Sequence, residues 1–281
     1  MASDVAGVAK VVQGMHTSDG AGVRLNRIIA QPHLDHVDPF VLLDEFRSDN
    51  PDDFMAGFPW HPHRGIETIT YVVYGAVEHE DSKGGGGVIN DGDVQWMTAG
   101  SGILHQEMPQ KRDGKVWGYQ LWLNLAAKDK MVPARYQALD DEMIPVSEQE
   151  GLSVKVIAGA FGDATGPADT YYPIDYFDVR LGEGSRFAHR VDSGQEKAIY
   201  VHSGSVVVDP DGEAKVVEQG NFVILGEGNE IVISGHEADS GFLFLAGVPH
   251  REPIARGGPF VMNTRDEIHQ AFEDYRSGKL Y

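Results

Sequence analysis

The chain has no cysteine among its 281 residues. Disulfide bonds, thiolate catalysis and cysteine-ligated zinc or iron–sulfur sites are therefore excluded, and any metal must be held by nitrogen and oxygen atoms. No apolar run approaches the roughly 20 residues that span a bilayer, and the first residues lack the basic and apolar regions of a secretory signal. We therefore expect a protein that makes no membrane contact and is located in the cytoplasm.

Basic residues are few, since 23 Lys and Arg stand against 43 Asp and Glu, for a formal net charge of −20. A charge this negative repels a nucleic-acid backbone, so direct binding to DNA or RNA is disfavoured. Two common catalytic motifs are also missing. The glycine run at 84–87 is not followed by Lys and Ser or Thr, and no Gly-x-Ser-x-Gly elbow occurs.

The apolar content of 41% is enough for a full hydrophobic core. Short segments rich in β-branched and aromatic residues alternate with glycine-containing turns, which predicts many short strands. In the first half, these strands are predicted at 39–46, 66–77, 94–98 and 117–125. In the second half, they are predicted at 152–158, 176–181, 197–201, 205–208, 221–225, 230–234 and 241–246. This spacing indicates an all-β sandwich or barrel.

The two halves of the chain resemble each other weakly. Asp-Gly-Asp-Val-Gln at 91–95 resembles Gln-Gly-Asn-Phe-Val at 219–223, which indicates two copies of one barrel. Between the halves, the charged and proline-containing segment 126–151 is typical of a linker. We therefore predict two domains, at 1–138 and 139–281.

Residues 265–275 carry apolar side chains at helical spacing. Asn263 or Thr264 could cap this helix, and Gly278 could end it. We assign the helix to the second domain and expect it to pack on a barrel.

Two segments place metal-ligand side chains at positions i and i+2, which share one face of a strand. They are His-Pro-His at 61–63 and His-Gln-Glu at 105–107. Two such strands facing each other inside a barrel would bring three imidazoles and one carboxylate to one point. Nitrogen and oxygen ligands of this kind suit divalent Fe, Mn, Ni, Cu or Zn. The sequence therefore predicts a metal site formed by His61, His63, His105 and Glu107.

Residues near these segments have competing interpretations. Glu67 falls off the strand parity of the first histidine pair, whereas Glu107 keeps the parity of the second segment. Arg64 could neutralise an anionic ligand or form a salt bridge with a neighbouring carboxylate. Gly100 and Gly102 would allow close backbone approach beside the second segment.

These motifs resemble those of the pirin family, within the cupin superfamily. The matching runs span nearly the whole chain and lie at 38–46, 61–68, 92–109, 120–125 and 258–264. The most specific are His-Pro-His-Arg-Gly-Ile-Glu-Thr at 61–68 and the long run at 92–109, which ends in His-Gln-Glu-Met-Pro. The resemblance implies a bicupin, in which two cupin barrels (double-stranded β-helix, jelly-roll) pack face to face, with a short C-terminal helix.

The resemblance also implies a ligand set and a metal. One metal would lie in the N-terminal barrel on His61, His63, His105 and Glu107. Many cupins use a glutamate of the first motif instead, which would be Glu67 here, and pirins depart from that pattern. The second barrel has no His-x-His and is expected to hold no metal. Fe(II) is the expected ion, although Mn, Ni, Cu or Zn could occupy the same ligands.

Two functions follow from the resemblance. Bacterial pirins resemble quercetin 2,3-dioxygenases, which open the flavonol ring with O₂ and release CO. A flavonol-like aromatic substrate is then implied, and Glu107 would be a ligand or the base that accepts the substrate proton. Eukaryotic pirin implies instead an iron-binding transcriptional or metabolic co-regulator that acts through protein partners without turnover. Because two barrels would already bury their interface within one chain, we expect a monomer.

Overall fold

The computed structural model describes residues 4–281, which form two compact units. The first unit contains Met15–Asp141 and His250–Tyr281, and the second contains residues 4–14 and Glu142–Pro249. Within the described residues, no helix has both the length and the apolar character needed to cross a membrane.

Short β-strands make up most of the described chain. Those before residue 141 are β1 (Val8–Gln13), β2 (Met15–Asp19), β3 (Val23–Ile29), β4 (Phe40–Ser48), β5 (Phe58–His63), β6 (Ile66–Tyr74), β7 (Val77–Asp81), β8 (Gly86–Ile89), β9 (Val94–Thr98), β10 (Ile103–Pro109), β11 (Val116–Asn124) and β12 (Arg135–Leu139). Those after it are β13 (Val146–Gln149), β14 (Leu152–Ala158), β15 (Ala160–Phe161), β16 (Ala164–Thr165), β17 (Ile174–Leu181), β18 (Arg186–Arg190), β19 (Glu196–Ser203), β20 (Ser205–Val208), β21 (Lys215–Glu218), β22 (Asn221–Leu225), β23 (Glu230–Gly235), β24 (Ser240–Gly247), β25 (Ala255–Gly257) and β26 (Phe260–Met262). The helices are three 3-10 turns, at Pro51–Asp53, Ala127–Asp129 and Asp141–Met143, and α1 (Arg265–Arg276).

The first unit is built from antiparallel sheets. One has seven strands in the order β12-β9-β6-β11-β4-β3-β2, and another has four in the order β5-β10-β7-β8. A two-stranded sheet, β25-β26, completes the unit. Alternation along each strand directs every second side chain inward, where Ile66, Met97, Ile103 and Val261 form part of the buried core.

The second unit repeats this arrangement. Its seven-stranded sheet has the order β1-β22-β19-β24-β17-β14-β13, its four-stranded sheet the order β18-β23-β20-β21, and β15-β16 form a pair. The matching sheet sizes confirm the predicted two copies of one all-β domain. The interior of this copy is aromatic, with the rings of Phe177, Phe187 and Phe244 packed around His189, which contacts Asp175 at 3.0 Å.

Most predicted strands are confirmed, and four of them have the predicted bounds: β9, β14, β20 and β22. The segment predicted as one strand at 66–77 is two, because the chain reverses at Gly75, whose φ is +106°. β18 and β21 were not predicted, since each carries exposed polar side chains that hide the strand pattern.

The segment 126–151, predicted as a linker, is largely structured. β12 pairs with β9 as an edge strand of the first unit, and β13 pairs with β14 as an edge strand of the second. Their polar composition is typical of edge strands, where one side of the backbone lacks a partner strand.

The two units differ from the predicted domains at both chain ends. The predicted boundary after residue 138 lies close to the observed one, between Asp141 and Glu142. Residues 4–14 nevertheless belong to the second unit, because β1 pairs with β22. The segment His250–Tyr281, which contains α1, belongs to the first compact unit. Both chain ends are placed by contacts between residues far apart in the sequence, and the pattern of consecutive residues does not predict such contacts.

The predicted helix is confirmed with its cap. Thr264 accepts a hydrogen bond from the Glu267 backbone, and the Glu267 side chain accepts one from Thr264 N, which completes a capping box. Ile268 and Ala271 are buried, and Phe272 packs on Phe260 of β26 with ring centroids 5.0 Å apart. The helix therefore packs within the unit that contains both predicted ligand segments.

Candidate metal centre

The pairing of β5 with β10 brings the two predicted ligand segments together. In this antiparallel pair, Ile103 lies opposite His63 and His105 lies opposite His61. Along β10, burial alternates strictly, with His105 and Glu107 on the buried side. The parity predicted for this segment is therefore present, and it results from the two-residue period of the strand.

Three imidazole rings converge at this point. Ring centroids are 4.8 Å apart for His61 and His63, 4.4 Å for His61 and His105, and 4.9 Å for His63 and His105. One ring nitrogen from each residue lies within 4.8 Å of the other two. His63 is 2% exposed and His105 is fully buried, whereas His61 is partly exposed. The group has the composition of a three-histidine metal site.

The other ring nitrogens show how two of these histidines are held. His61 Nδ1 lies 2.9 Å from the Pro59 carbonyl oxygen, and His63 Nδ1 lies 3.2 Å from the Pro259 carbonyl oxygen. A histidine that binds a metal commonly donates its second N–H to such a carbonyl, which fixes the ring and leaves Nε2 for the ion.

His105 provides the test of fit. Among residues 4–281, neither of its ring nitrogens has a hydrogen-bond partner, although the side chain is fully buried. An unsatisfied buried polar group costs about 1–3 kcal/mol, so native proteins rarely retain one without a ligand or a functional reason. A divalent metal would satisfy one of the two ring nitrogens of His105. The residues present therefore fit such an ion.

The electrostatics of the site favour neutral imidazoles. Burial lowers the pKa of His63 well below its usual 6.5, and the neighbouring His61 lowers it further. Burial also lowers the pKa of His105 well below 6.5, with His63 and His61 adding to the effect. Only the neutral imidazole has a free electron pair for a metal, so these residues are in the ligand form at neutral pH.

The metal-free protein should therefore lose stability as the pH falls below 6.5. The unfolded chain takes up protons on His63 and His105 near the usual pKa of 6.5, whereas the depressed pKa values keep both neutral in the folded state. The unfolded state then binds more protons, and the free energy of unfolding falls by about 1.4 kcal/mol per histidine for each pH unit below 6.5. Urea unfolding of chelator-treated protein at about pH 7.5 and about pH 5.5 measures this difference.

The His105→Leu variant provides the control for this experiment. It should lose one histidine's share of the pH dependence and keep the rest. An identical pH dependence in the variant and the wild type would contradict the assignment.

Glu107 lies beside the three histidines rather than within their convergent group. It is 5% exposed, and its Oε1 accepts a 2.7 Å hydrogen bond from Thr70 Oγ1. Burial raises the pKa of Glu107, while the bond from Thr70 and the nearby His61 act in the opposite direction. The role of Glu107 as a fourth ligand therefore stays a prediction.

Two competing candidates have other partners. The Glu67 carboxylate accepts a 2.6 Å hydrogen bond from Thr98 Oγ1 and lies outside the histidine group. Arg64 forms a 2.7 Å ion pair with Asp274 of α1 and also donates to the Ser101 carbonyl oxygen. Of the two interpretations left open for Arg64, the structure shows the salt bridge.

The predicted close approach at Gly100 and Gly102 is present. A Cβ atom at Gly100 would lie 2.1 Å from the Val132 carbonyl oxygen, and one at Gly102 would lie 2.3 Å from the Leu280 carbonyl oxygen. Both glycines also have positive φ. The loop that leads into β10 therefore requires glycine at both positions.

A cavity of about 640 Å³ opens beside the histidines in the first unit. Its apolar wall includes Leu25, Leu42, Phe46, Phe58 and Trp122. Its polar lining consists of Asp19, Arg27, Asp44, His61, His63, Glu107, Gln120 and Arg256. A cavity of this size and mixed lining suits a small aromatic ligand with a few polar groups.

Arg27 in this cavity is committed to two carboxylates. Its Nε and Nη2 donate to the two oxygens of Asp44 at 2.9 and 2.7 Å, and Nη2 also lies 2.6 Å from Asp19 Oδ2. Burial raises the pKa of Asp44 to about 6, against the opposing effect of the guanidinium. One guanidinium therefore holds two carboxylates together in this polar part of the wall.

Several residues of the site carry no sequence signal as isolated side chains. Trp122 contacts His63 edge-on, with ring centroids 5.0 Å apart. Thr70 is hydrogen-bonded to Glu107 and also to Gln120. Gln120 and Trp122 belong to the family-like run at 120–125, and this run is the signal in the sequence for a role of β11 in the site. Pro259 contacts His63 through its carbonyl oxygen, which no side-chain pattern predicts.

Comparisons with known proteins identify the family of this chain. Residues 22–123 match the family described as Pirin, and residues 176–281 match the Pirin C-terminal cupin domain. A Pseudomonas aeruginosa protein named "Putative quercetin 2,3-dioxygenase" is 45% identical over 97% of both chains. Human pirin is 42% identical over 93% of this chain and 89% of its own. The crystal structure of a quercetin 2,3-dioxygenase from Acinetobacter baumannii superposes with a TM-score of 0.89, at 36% identity over 98% of both chains. The chain therefore belongs to the pirin family and contains two cupin domains.

Proposed function

We propose that this pirin is a metal-dependent dioxygenase resembling quercetin 2,3-dioxygenase, which opens a flavonol ring with O₂ and releases CO. The observation that carries the proposal is the common cavity. His61, His63 and the buried carboxylate of Glu107 line one space of about 640 Å³. Pockets for ligands of this class commonly have about 300–1,000 Å³. The names of two relatives, from Pseudomonas aeruginosa and Acinetobacter baumannii, support the same reaction.

The ligands of the proposed ion are His61, His63, His105 and Glu107. Fe(II) is our first choice, and Mn, Ni, Cu or Zn would suit the same donor atoms. When bound, such an ion acts as a Lewis acid that lowers the pKa of a coordinated hydroxyl, here the 3-hydroxyl of the flavonol.

The residues of the chain have separate tasks in this proposal. Glu107 accepts the proton of the 3-hydroxyl, and burial strengthens it as a base because burial raises its pKa. Trp122 and Phe58 supply flat apolar walls against which a planar ring system can lie. The same walls exclude water from the reacting atoms.

An aerobic quercetin assay tests the proposal. Protein loaded with Fe(II) should consume the flavonol absorbance and release CO. Glu107→Gln should lower kcat by about 10²–10⁴-fold, because the amide cannot accept the proton. Glu67→Gln is the matched control, since Glu67 is also buried and hydrogen-bonded to a threonine but lies outside the cavity lining.

Two results would contradict the proposal, the first its reaction and the second the role of Glu107. One is the absence of turnover with each of several divalent metals in protein shown to hold the metal. The other is a Glu107→Gln variant with wild-type activity, which would remove both the ligand and the base role of Glu107.

The alternative function is an iron-binding regulator that acts through protein partners without turnover. Its support is the 42% identity to human pirin. In this case the same histidines would hold a metal that stabilises a binding surface. The net charge of −20 favours protein partners with basic surfaces and disfavours nucleic acid. Metal-loaded protein that is inactive in the quercetin assay would favour this function, and we propose a cytoplasmic monomer in either case.

A further inference from the structure

The hydroxyl of Thr70 lies between two acceptors next to the metal centre. Thr70 Oγ1 is 2.7 Å from Glu107 Oε1 and 2.8 Å from Gln120 Oε1. Thr70 and Glu107 are both buried, whereas Gln120 is partly exposed and lines the cavity. The three side chains therefore form one row of hydrogen bonds from Gln120 through Thr70 to the Glu107 carboxylate.

The number of hydrogens on each group shows which atom donates in each of these hydrogen bonds. A threonine hydroxyl has one hydrogen, so it can donate to only one of the two neighbouring oxygens. An ionised carboxylate is a stronger acceptor than an amide carbonyl, and we assign the hydrogen to Glu107. Gln120 must then turn its amide so that the NH₂ group donates to Thr70 Oγ1. Such a rotation costs little space, because the two ends of the amide have nearly the same shape.

We propose that Thr70 is a positioning residue, which holds Oε1 of Glu107 and leaves Oε2 for a metal ion or a substrate hydroxyl. Along β10, the carboxylate shares the buried face of His105, and the pairing with β7 is regular through both residues. On the other side, β5 has one extra residue, so Glu107 lies opposite Phe58, beyond the histidine segment of that strand. A side-chain hydrogen bond then sets the position of the carboxylate, and Gln120 supports that bond from the cavity side.

This inference rests on the proposed metal site, and metal binding tests it without any turnover. Cobalt(II) serves as the probe, because its visible absorption spectrum reports changes in the coordinating atoms. Thr70→Val keeps the shape of the side chain and removes the hydroxyl. It should weaken cobalt binding by about 10–100-fold, as loss of a hydrogen bond to a metal ligand commonly does, and should alter the absorption spectrum.

Three further variants separate positioning from packing. Thr70→Ser keeps the hydroxyl and should restore the affinity to within a few-fold of wild type. Thr68→Val removes a hydroxyl from the same strand at the same 2% exposure and leaves the Thr70–Glu107 hydrogen bond in place, so cobalt binding should be unchanged. Gln120→Leu leaves Thr70 free to donate to Glu107 and should weaken binding less than Thr70→Val does.

Several results would overturn the inference. Wild-type affinity and spectrum in Thr70→Val would show that the hydroxyl does not position Glu107. An equal loss in Thr68→Val or Thr70→Ser would show a general packing effect, and a larger loss in Gln120→Leu would show that Gln120, and not Thr70, is the residue that positions Glu107. Failure of the quercetin reaction would leave these binding results intact, so the two proposals can fail separately.

If the protein turns over quercetin, the pH profile gives a second readout. Thr70→Val should lower kcat more than it raises KM and should shift the pH profile, because the carboxylate is displaced while the cavity walls remain. Thr70→Ser should restore the wild-type profile. A change in KM alone, without a shift of the profile, would indicate a binding role instead.

Discussion

Replacing His105 with leucine should remove metal binding and should not destabilise the metal-free protein. The imidazole is fully buried between His61 and His63, with centroid distances of 4.4 and 4.9 Å. Loss of a direct ligand should cost more than the roughly 100-fold that loss of an outer hydrogen bond can cost. Leucine has a similar volume, and it removes two buried ring nitrogens that lack partners within residues 4–281. We therefore expect the metal-free variant to be as stable as wild type, or more stable by about 1 kcal/mol.

Calorimetric metal titration and urea unfolding in the presence of chelator measure the two effects. His36→Leu is the control, since His36 is an exposed histidine that contacts Asp35 at 2.7 Å. It should change neither quantity by much. A His105→Leu variant that binds a divalent metal within a few-fold of wild type would exclude His105 as a ligand.

Replacing Gly65 with alanine should destabilise the first unit strongly. Gly65 follows the ligand strand β5 and has a φ of +80°. A Cβ atom there would lie 2.0 Å from the Val261 carbonyl oxygen, and backbone of that kind cannot move aside cheaply. The Gly65 carbonyl also accepts a 2.9 Å hydrogen bond from the buried Lys130 Nζ, which donates to Val261 O as well. We expect a loss of about 3–5 kcal/mol in the free energy of unfolding.

Gly84→Ala separates the effect of backbone conformation from the effect of contact. Gly84 has a φ of +85°, but a Cβ atom there would meet nothing within 4 Å. Its cost should be about 1–2 kcal/mol, the strain of a left-handed conformation alone. Urea unfolding curves of both variants measure the difference. Equal losses would show that the contact with β26 does not matter.

The candidate ligand residues could be proposed from the sequence because the two-residue period of a strand is local. His61 and His63, and likewise His105 and Glu107, share a face whenever their segments are extended. The helix could be predicted for the same reason. The capping box of Thr264 and Glu267 and the spacing of its apolar residues are both set by neighbouring positions in the sequence. The division between two all-β copies also followed from local turn and strand patterns.

Other features depend on residues far apart in the chain. The carbonyl of Pro259 orients His63, Asp274 pairs with Arg64, and β1 joins the second unit through β22. None of these contacts can be predicted from the spacing of apolar and polar residues in the segments that make them. For that reason, the sequence pattern does not show in which compact unit each chain end packs.

By itself, the sequence determined which side chains could be ligands, because strand alternation and the lack of cysteine leave few other donors. The tertiary structure decided how those side chains are held. It placed His105 in a buried position with no protein partner among residues 4–281, joined Glu107 to Thr70, and put Glu67 in contact with Thr98 instead. The physical reason is that alternation sets the face of a side chain, whereas pairing register and long-range packing set its distance from every other group.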